Sequence, residues 1–302
     1  MYISNDGKLQ EDNKAEPSVY VHTAPTDEEK KQLIEQYKID EHTLNSSLDP
    51  DELSRLEFEP DHIAMIFKRP KHYAAEDNFL FRVASTGVFI FKDKLIIVNA
   101  DEAPLFEGRL FTKVQSIQDI VLKLIHRSVF HFLEHLKAIN MLSGSIEQLI
   151  NTSMENKYLL NLFTLEKSLV YYVNATNSNA VLIERLKNNA AKMGFNTENL
   201  EFLDDLTIEI NQCREQANIY SQVLASLMDA RATIVANNLN IRIKMLTILT
   251  IAIMLPTLVV SYFSMNVKLP LAALDPMSFW IITVLVVLIT LVFVFLWRRR
   301  RW

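Results

Sequence analysis

Polar side chains recur at regular steps along one apolar stretch near the carboxyl-terminal end of the chain. Steps of three and four residues alternate through this series, which gives the period of 3.5 residues that keeps side chains on one side of a helix. The series, called the seam below, consists of Asn240, Ile243, Thr247, Thr250, Met254, Thr257 and Ser261. Hydroxyl and amide oxygens are neutral acceptors that suit the water shell of a cation.

The seam has two interpretations. Hydroxyls in an apolar helix also bond back to their own backbone or hold two helices together. Alternatively, a stripe of weak oxygen ligands around a symmetry axis lines a path for ions. One helix, or even two helices from one chain, cannot enclose a water-filled path, so the second interpretation requires a homo-oligomer.

A second pattern that could do chemistry is His131-x-x-Glu134-His135, the inverted zinc-protease motif. On a helix, His131 and His135 share one face and could bind one zinc ion together. The motif is short and no third ligand is evident. We therefore predict an ordinary helix surface, no catalytic residue and no enzyme activity.

Two stretches near the carboxyl terminus lack charged residues. Met245–Phe263 and Phe279–Trp297 each contain 19 residues with no Asp, Glu, Lys or Arg. At about 1.5 Å per residue each would be roughly 28 Å long as a helix, close to the thickness of the hydrocarbon core of a bilayer. A buried hairpin in a soluble protein is the alternative, but the flanking arginines favour two transmembrane helices in a lipid bilayer.

Basic residues give the expected orientation. Arg242 and Lys244 precede the first apolar stretch, and Arg298–Arg301 follow the second, whereas the connecting segment 264–278 has one basic residue. The positive-inside rule then places both termini in the cytosol and predicts a multi-pass protein of the plasma (inner) membrane. The first 16 residues contain no apolar segment typical of a signal peptide.

The composition limits the partners. The net charge of −5 argues against nucleic-acid binding and suits attraction of cations. One cysteine, Cys213, excludes an internal disulfide, and we expect it to be buried as a small apolar side chain.

The first hundred residues combine strand-like and helix-like segments. Thr26, with Glu29 three residues later, is typical of a capping box that begins a helix. The strand-like runs are Val19–Thr23, His62–Lys68, Phe79–Ala84, Val88–Lys92 and Leu95–Asn99, of which we expect the last three to be adjacent and antiparallel. Beyond residue 115, apolar spacing predicts three long helices at 115–153, 156–191 and 198–263.

Several segments resemble the CorA family of magnesium and cobalt channels. Tyr262–Val267 resembles the family's YGMNF signature, and Leu48–Leu53 with Arg55–Glu57 resembles its acidic segment before the first core strands. Val88–Val98 resembles its strand hairpin, and Lys244–Thr257 its entry into the pore helix. The resemblance covers most of the chain in the family's order.

The resemblance implies an α+β cytosolic funnel domain with long stalk helices, two C-terminal transmembrane helices and assembly as a homopentamer. We expect the divisions 1–112 (cytosolic α/β domain), 113–242 (stalk), 243–263 (pore helix), 264–278 (external loop), 279–297 (second transmembrane helix) and 298–302 (basic tail). It also implies a filter of Ser264, Met265 and Asn266, with Asn266 repeated in a ring. The family's pore-facing rings fall here on Asn240, Ile243, Leu246, Met254 and Thr257, with Ile243 and Leu246 as the hydrophobic constriction.

Three positions depart from the family pattern. Ser264 replaces the signature glycine, Val267 replaces an aromatic residue, and Lys268 stands where the family commonly has a glutamate. Serine lacks the freedom of glycine at positive φ, and a ring of lysines would repel divalent cations. These departures bear on the choice of ion rather than on the fold.

The family senses cytosolic Mg²⁺ through carboxylates between subunits. Asp205 lies where one such ligand is found, with Asp204 adjacent, and Glu76 and Asp77 are candidate partners. The alternative is a solvated acidic helix face. No cofactor is expected beyond the transported or regulatory divalent cation.

Three functions follow from these patterns. The first is a passive channel for Mg²⁺, with Co²⁺ or Ni²⁺ as further ions. The second is a transporter of Zn²⁺ or another divalent ion, as in the zinc branch of the family, which also departs from the glycine. The third is a non-conducting relative that acts as a membrane scaffold or sensor.

Overall fold

A computed structural model gives the fold and describes residues 2–5, 8–11, 18–107, 109–152, 156–265 and 277–299. The chain consists of two compact units, Met1–Met228 and Asp229–Trp302. The helices are α1 (Asp27–Tyr37), α2 (Glu41–Leu48), α3 (Ile117–Thr152), α4 (Asn156–Asn188), α5 (Ala190–Met193), α6 (Thr197–Phe263) and α7 (Met277–Arg299). Helix α6 begins in the first unit and ends in the second.

A mixed sheet forms the centre of the first unit. The strands in the described part of the chain are β1 (Tyr2–Asn5), β2 (Lys8–Glu11), β3 (Val19–Thr23), β4 (Arg55–Phe58), β5 (Ile63–Pro70), β6 (Val83–Ile90) and β7 (Leu95–Asn99). Their order is β2-β1-β3-β7-β6-β5-β4, in which β3 and β7 are parallel and the other neighbours are antiparallel.

Both faces of the sheet are covered, because successive strand residues point to opposite sides. Phe89, Ile96 and Val98 pack on one face with Leu33 and Leu44 of α1 and α2. The larger core lies on the other face and includes Met65, Phe67, Val88, Leu95 and Ile97, together with buried residues of α3, α4 and α6.

The structure confirms the three long helices that the apolar spacing of the sequence predicts. The helix predicted at 115–153 is α3, the one at 156–191 is α4 followed by the short α5, and the one at 198–263 is α6. The capping box is also confirmed, since Thr26 Oγ1 accepts from Glu29 N at 3.3 Å and Thr26 N donates to Glu29 at 2.8 Å. Cys213 is buried, as expected.

The prediction of separate strands at Phe79–Ala84 and Val88–Lys92 is wrong. Residues 83–90 form the one strand β6, and Gly87 lies in its middle, paired with Ile66 and Val98. A Cβ atom on Gly87 would lie 2.4 Å from Cβ of Ser47. The glycine therefore permits α2 to approach the sheet and does not form a turn.

A buried polar cluster joins the sheet to the helices. Asn179 of α4 accepts from Lys68 N at 2.8 Å and donates to Lys68 O at 2.8 Å. Ser128 of α3 donates to the same carbonyl at 2.6 Å, and Ser54 Oγ donates to Asn179 at 2.8 Å. The Lys68 ammonium donates to Pro50 O at 2.8 Å, and burial lowers its pKa to about 8.

Candidate ion pathway in the second unit

Two helices are long and apolar enough to cross a membrane. They are α6, through its carboxyl-terminal part, and α7, and the most apolar window of each is unburied within the chain. Large side chains exposed on both helices include Met254 (63%), Leu258 (68%), Trp280 (66%) and Leu291 (63%). Such surfaces are stable against lipid or other helices and costly against water.

Every residue of the seam is exposed in the chain. The partly buried residues of the same stretch of α6 form a second stripe, called the covered face below. It consists of Ile248, Ala252, Leu255, Pro256, Val259 and Phe263. At 100° per residue, the centres of the two stripes are about 160° apart around the helix axis. The seam and the covered face are therefore opposite sides of α6.

Helix α7 lies on the side of the covered face. Trp297, at the end of α7, lines a pocket with Lys244, Thr247 and Ile248, which are near the start of the apolar part of α6. The partly buried residues of α7 also form a stripe, which consists of Ser278, Ile282, Val286, Ile289, Thr290 and Phe293. The two helices thus run antiparallel, with the end of α7 beside Thr247 of the seam and the rest of the seam exposed.

The threonine hydroxyls of the seam donate to their own helix. Thr247, Thr250 and Thr257 each donate to the carbonyl four residues earlier, at 2.9, 2.9 and 2.8 Å. The first interpretation of the seam, back-bonding to the helix, is therefore confirmed for these three side chains. Because each hydroxyl proton is used, the remaining lone pairs of the oxygen can only accept hydrogen bonds. The threonines of the seam consequently present acceptors to whatever lies against it.

Leu246, predicted to face the pore, is 64% exposed and lies beside the seam. Its direction is about 70° from the centre of the seam at 100° per residue. Ile243, its expected partner in the constriction, belongs to the seam and is 52% exposed.

Pro256 lies within α6 on the covered face. Proline has no N–H, so the carbonyl of Ala252 receives no hydrogen bond from the residue four positions later. The helix nevertheless continues to Phe263. The missing bond belongs to the turn that contains Met254 and precedes Thr257 of the seam.

Ser264 ends α6. Its N–H donates to the carbonyls of Val260 and Ser261 at 3.1 and 3.3 Å, and its hydroxyl donates to Ser261 O at 2.9 Å. The non-glycine residues with positive φ in the described chain are Ala24, Lys38, Asn78 and Phe79, so Ser264 is accommodated without a left-handed backbone. Met265 is exposed. Asn266 and Lys268 lie outside the described residues.

The predicted regulatory carboxylates lie in the first unit and are placed differently from one another. Asp204 forms an ion pair with Lys187 at 2.7 Å, whereas Asp205 is exposed on α6. Glu76 is exposed, and Asp77 accepts from Ala74 N at 2.8 Å. Among the described residues, no group of three or more His, Cys, Asp or Glu side chains within one chain is arranged to hold a metal ion.

The H-x-x-E-H residues lie on α3, where the two histidine rings contact each other. The ring centroids of His131 and His135 are 4.3 Å apart, and His135 Nδ1 lies 2.6 Å from the Tyr172 hydroxyl. Burial raises the pKa of Tyr172 and lowers that of His135 to about 4, so the hydroxyl donates to a neutral imidazole. This hydrogen bond fixes the orientation of the His135 ring within the core between α3 and α4.

The fold places a polar stripe on one of two helices that are long and apolar enough to cross a membrane. A model of the family described as "CorA-like Mg2+ transporter protein" matches residues 18–300. The chain therefore belongs to this family of ion transporters, which confirms the resemblance noted in the sequence and the expectation that it is not an enzyme.

Known proteins of similar sequence and structure agree with this assignment. The cobalt/magnesium transport protein CorA of Methanocaldococcus jannaschii is 26% identical over 289 residues, which cover 92% of this chain and 89% of that protein. The complete structure of the CorA magnesium transporter from M. jannaschii superposes with a TM-score of 0.81 and 23% identity, covering 97% of this chain and 95% of that one.

Two further solved structures share the fold at lower identity. The full-length CmaX protein matches with a TM-score of 0.62 and 16% identity, covering 100% of this chain and 97% of that one. The ZntB cytoplasmic domain from Vibrio parahaemolyticus RIMD 2210633 matches with a TM-score of 0.59 and 12% identity, covering 78% of this chain and 97% of that one. The expected fold class, an α/β unit with long helices and two C-terminal apolar helices, is confirmed.

Proposed function

We propose that this chain assembles as a homopentamer that conducts Mg²⁺, and secondarily Co²⁺ or Ni²⁺, through a pore lined by α6. The observation that carries the proposal is the position of the seam, which is exposed and lies opposite the partly buried face of the same helix. In a ring of subunits, α7 then faces lipid, and the seams of neighbouring chains face the axis. An aqueous axis is the environment that stabilises exposed hydroxyls inside a membrane.

The acceptor oxygens suit a hydrated cation. Mg²⁺ gives up its water shell reluctantly, and the waters of that shell donate hydrogen bonds outward. Thr247, Thr250 and Thr257 can accept such bonds, because their own protons are already used within α6. An anion needs donors, so the same surface disfavours it. Asn266 would add a ring of amide oxygens as the filter, together with Ser264 and Met265.

The energy source in this proposal is the membrane potential. A divalent ion gains about 4.6 kcal/mol on moving inward across 100 mV, twice the value for one charge. We propose that both termini are cytosolic in the plasma (inner) membrane. The placement of Trp297 near Lys244 supports this orientation, since it brings the basic ends of the two helices to the same side.

We further propose that Asp205, alone or with Asp204, Glu76 and Asp77, binds regulatory Mg²⁺ between subunits. Asp205 is exposed and therefore available to a neighbouring chain. Substitution Asp205→Asn is expected to weaken inhibition of transport by cytosolic Mg²⁺ and to leave maximal flux unchanged.

Flux into liposomes tests the proposed function. Purified protein is reconstituted with an entrapped Mg²⁺ indicator, without ATP or a proton gradient, and a potassium diffusion potential (negative inside) is applied. We expect Mg²⁺ entry that rises with the potential. Entry of Zn²⁺ but not Mg²⁺ would identify the zinc transporter, and no ion entry from a protein that is pentameric by light scattering would indicate the non-conducting scaffold or sensor.

A further inference from the structure

A polar pocket of about 270 Å³ lies in the first unit and is not used by the proposed ion pathway. It is formed by the end of β5, by α3 and by the segment 102–107 that follows β7. Helix α3 contributes Leu124, Arg127, Ser128, His131 and Glu134, whose spacing places them on one face of the helix.

The inner part of this pocket is cationic. Arg69 is buried, forms an ion pair with Asp101 and donates to Thr86 Oγ1 at 3.1 Å. Arg127 is only partly buried, and no hydrogen-bond or ion-pair partner of its guanidinium lies within the part of the chain that the structure describes. Because Asp101 balances Arg69, Arg127 supplies the uncompensated positive charge.

Carboxylates are confined to the rim of the pocket. Glu102, Glu107 and Glu134 line it but are exposed to solvent. Water screens these charges, whereas charges deeper in the pocket act through a medium of lower dielectric constant. The positive charge of Arg127 is therefore less exposed to water than the three carboxylates at the edge of the pocket.

The histidine in the pocket is shielded from water and lies near positive charges. The pKa of His131 is lowered to about 4, first by burial and then by the positive charges of Arg127, Arg69 and His72. Its ring is therefore neutral at neutral pH and retains a donor nitrogen.

We propose that this pocket is a binding site for a small phosphate-type oxyanion. The guanidinium of Arg127 would pair with two oxygens of the anion in the bidentate arrangement that arginine favours, and His131 is placed to donate to a third. The volume of the pocket suits a phosphate group or a small phosphomonoester, and the rim carboxylates would accept hydrogen bonds from hydroxyl groups of the ester. A metal ion is a poor alternative, because the described residues contain no group of three suitable ligands.

Isothermal titration of the full-length protein in detergent tests this site with inorganic phosphate as the probe. Chloride at equal ionic strength serves as the comparison. We expect saturable binding of phosphate, at least tenfold weaker binding in Arg127→Gln, and tighter binding in Glu134→Gln, which removes a repulsive charge from the rim. Arg214→Gln is the matched control, because Arg214 is a partly buried helical arginine outside the pocket.

Two results would overturn the proposal. One is the absence of saturable phosphate binding to the unchanged protein. The other is equal affinity in Arg127→Gln and Arg214→Gln, provided that both retain the unfolding temperature of the unchanged protein.

A second experiment distinguishes a soluble anion from a lipid headgroup and uses protein from which bound lipid has been extracted. Retained binding of free phosphate supports a soluble ligand, whereas binding of dispersed phosphatidic acid alone would show a lipid-headgroup site and contradict the assignment to a soluble anion.

Discussion

The hydroxyl of Thr250 donates to the carbonyl of Leu246 at 2.9 Å, and only its lone pairs remain for the exposed side of α6. Thr250→Val keeps the shape of the side chain but removes this acceptor from every subunit. Loss of roughly 1 kcal/mol from the interaction with the hydrated ion would lower Mg²⁺ flux about fivefold. The liposome assay measures this change.

A control with the same chemistry is available on the other helix. Thr283 of α7 also donates to its own backbone, at 2.8 Å to Phe279 O, but lies away from the seam. We expect Thr283→Val to conduct normally. Equal flux in the two variants would mean that the hydroxyls of the seam only stabilise the helix.

Cysteine substitution tests which face of α6 meets water. A cysteine at Thr257 should react with a membrane-impermeant thiol reagent and block flux, whereas a cysteine at Val259, on the covered face, should not. Cys213 does not interfere, because burial raises the pKa of its thiol to about 12. Equal labelling at both positions would argue against the pore.

The filter prediction depends on sequence, since Asn266 is outside the described residues. Asn266→Ala removes the amide oxygen next to the end of α6, and we expect divalent uptake to be abolished while the oligomer remains intact in detergent. Asn266→Gln, which keeps an amide, should retain measurable flux. Full uptake by the alanine variant would contradict the filter assignment.

The buried Asn179 should be important for stability. Asn179→Ala removes three hydrogen bonds of 2.8 Å and leaves the N–H of Lys68 without a partner inside the protein. We expect a loss of roughly 2–4 kcal/mol in the free energy of unfolding. Asn189→Ala removes one exposed bond to Arg185 O and should have little effect. Denaturant unfolding followed by circular dichroism compares the two.

Stability should fall in mild acid. In the folded protein the pKa values of His131 and His135 are lowered to about 4, whereas the pKa of a histidine in the unfolded chain is about 6.5. Between pH 6.5 and 4 the unfolded chain therefore binds more protons than the folded protein, and the free energy of unfolding falls as the pH falls. Unfolding midpoints measured at pH 7.0, 5.5 and 4.5 should therefore decrease. His135→Gln should show a weaker dependence than His42→Gln, whose residue lies on the surface of α2. Identical pH profiles would exclude this cause.

The sequence predicted the long helices and the seam well, because both depend on periodicity that a chain carries by itself. It missed β4 and α2, although Arg55–Phe58 pairs with β5 and Asp40 caps α2 through Thr43 N at 2.9 Å. These elements are short, and they owe their stability to packing on the sheet more than to their own composition.

Tertiary contact also explains what the sequence could not assign around the candidate sites. The predicted strands Phe79–Ala84 and Val88–Lys92 stop on either side of Gly87, whose role depends on the approach of Ser47, a residue distant in the chain. The sequence does not show which residues of α6 are partly buried, because their burial depends on contacts outside the helix. The H-x-x-E-H motif alone does not predict that the Tyr172 hydroxyl forms a hydrogen bond with His135.

Pro256 separates the seam into two parts, because it removes one hydrogen bond from α6. With the bond to the Ala252 carbonyl missing, α6 is most compliant at this turn, and bending of the helix concentrates there. In the proposed pore, we expect the part of the seam before this turn (Asn240 to Thr250) and the part after it (Thr257 and Ser261) to move separately. The width of the proposed pore at one end would then change without a change at the other, with the turn before Thr257 as the pivot.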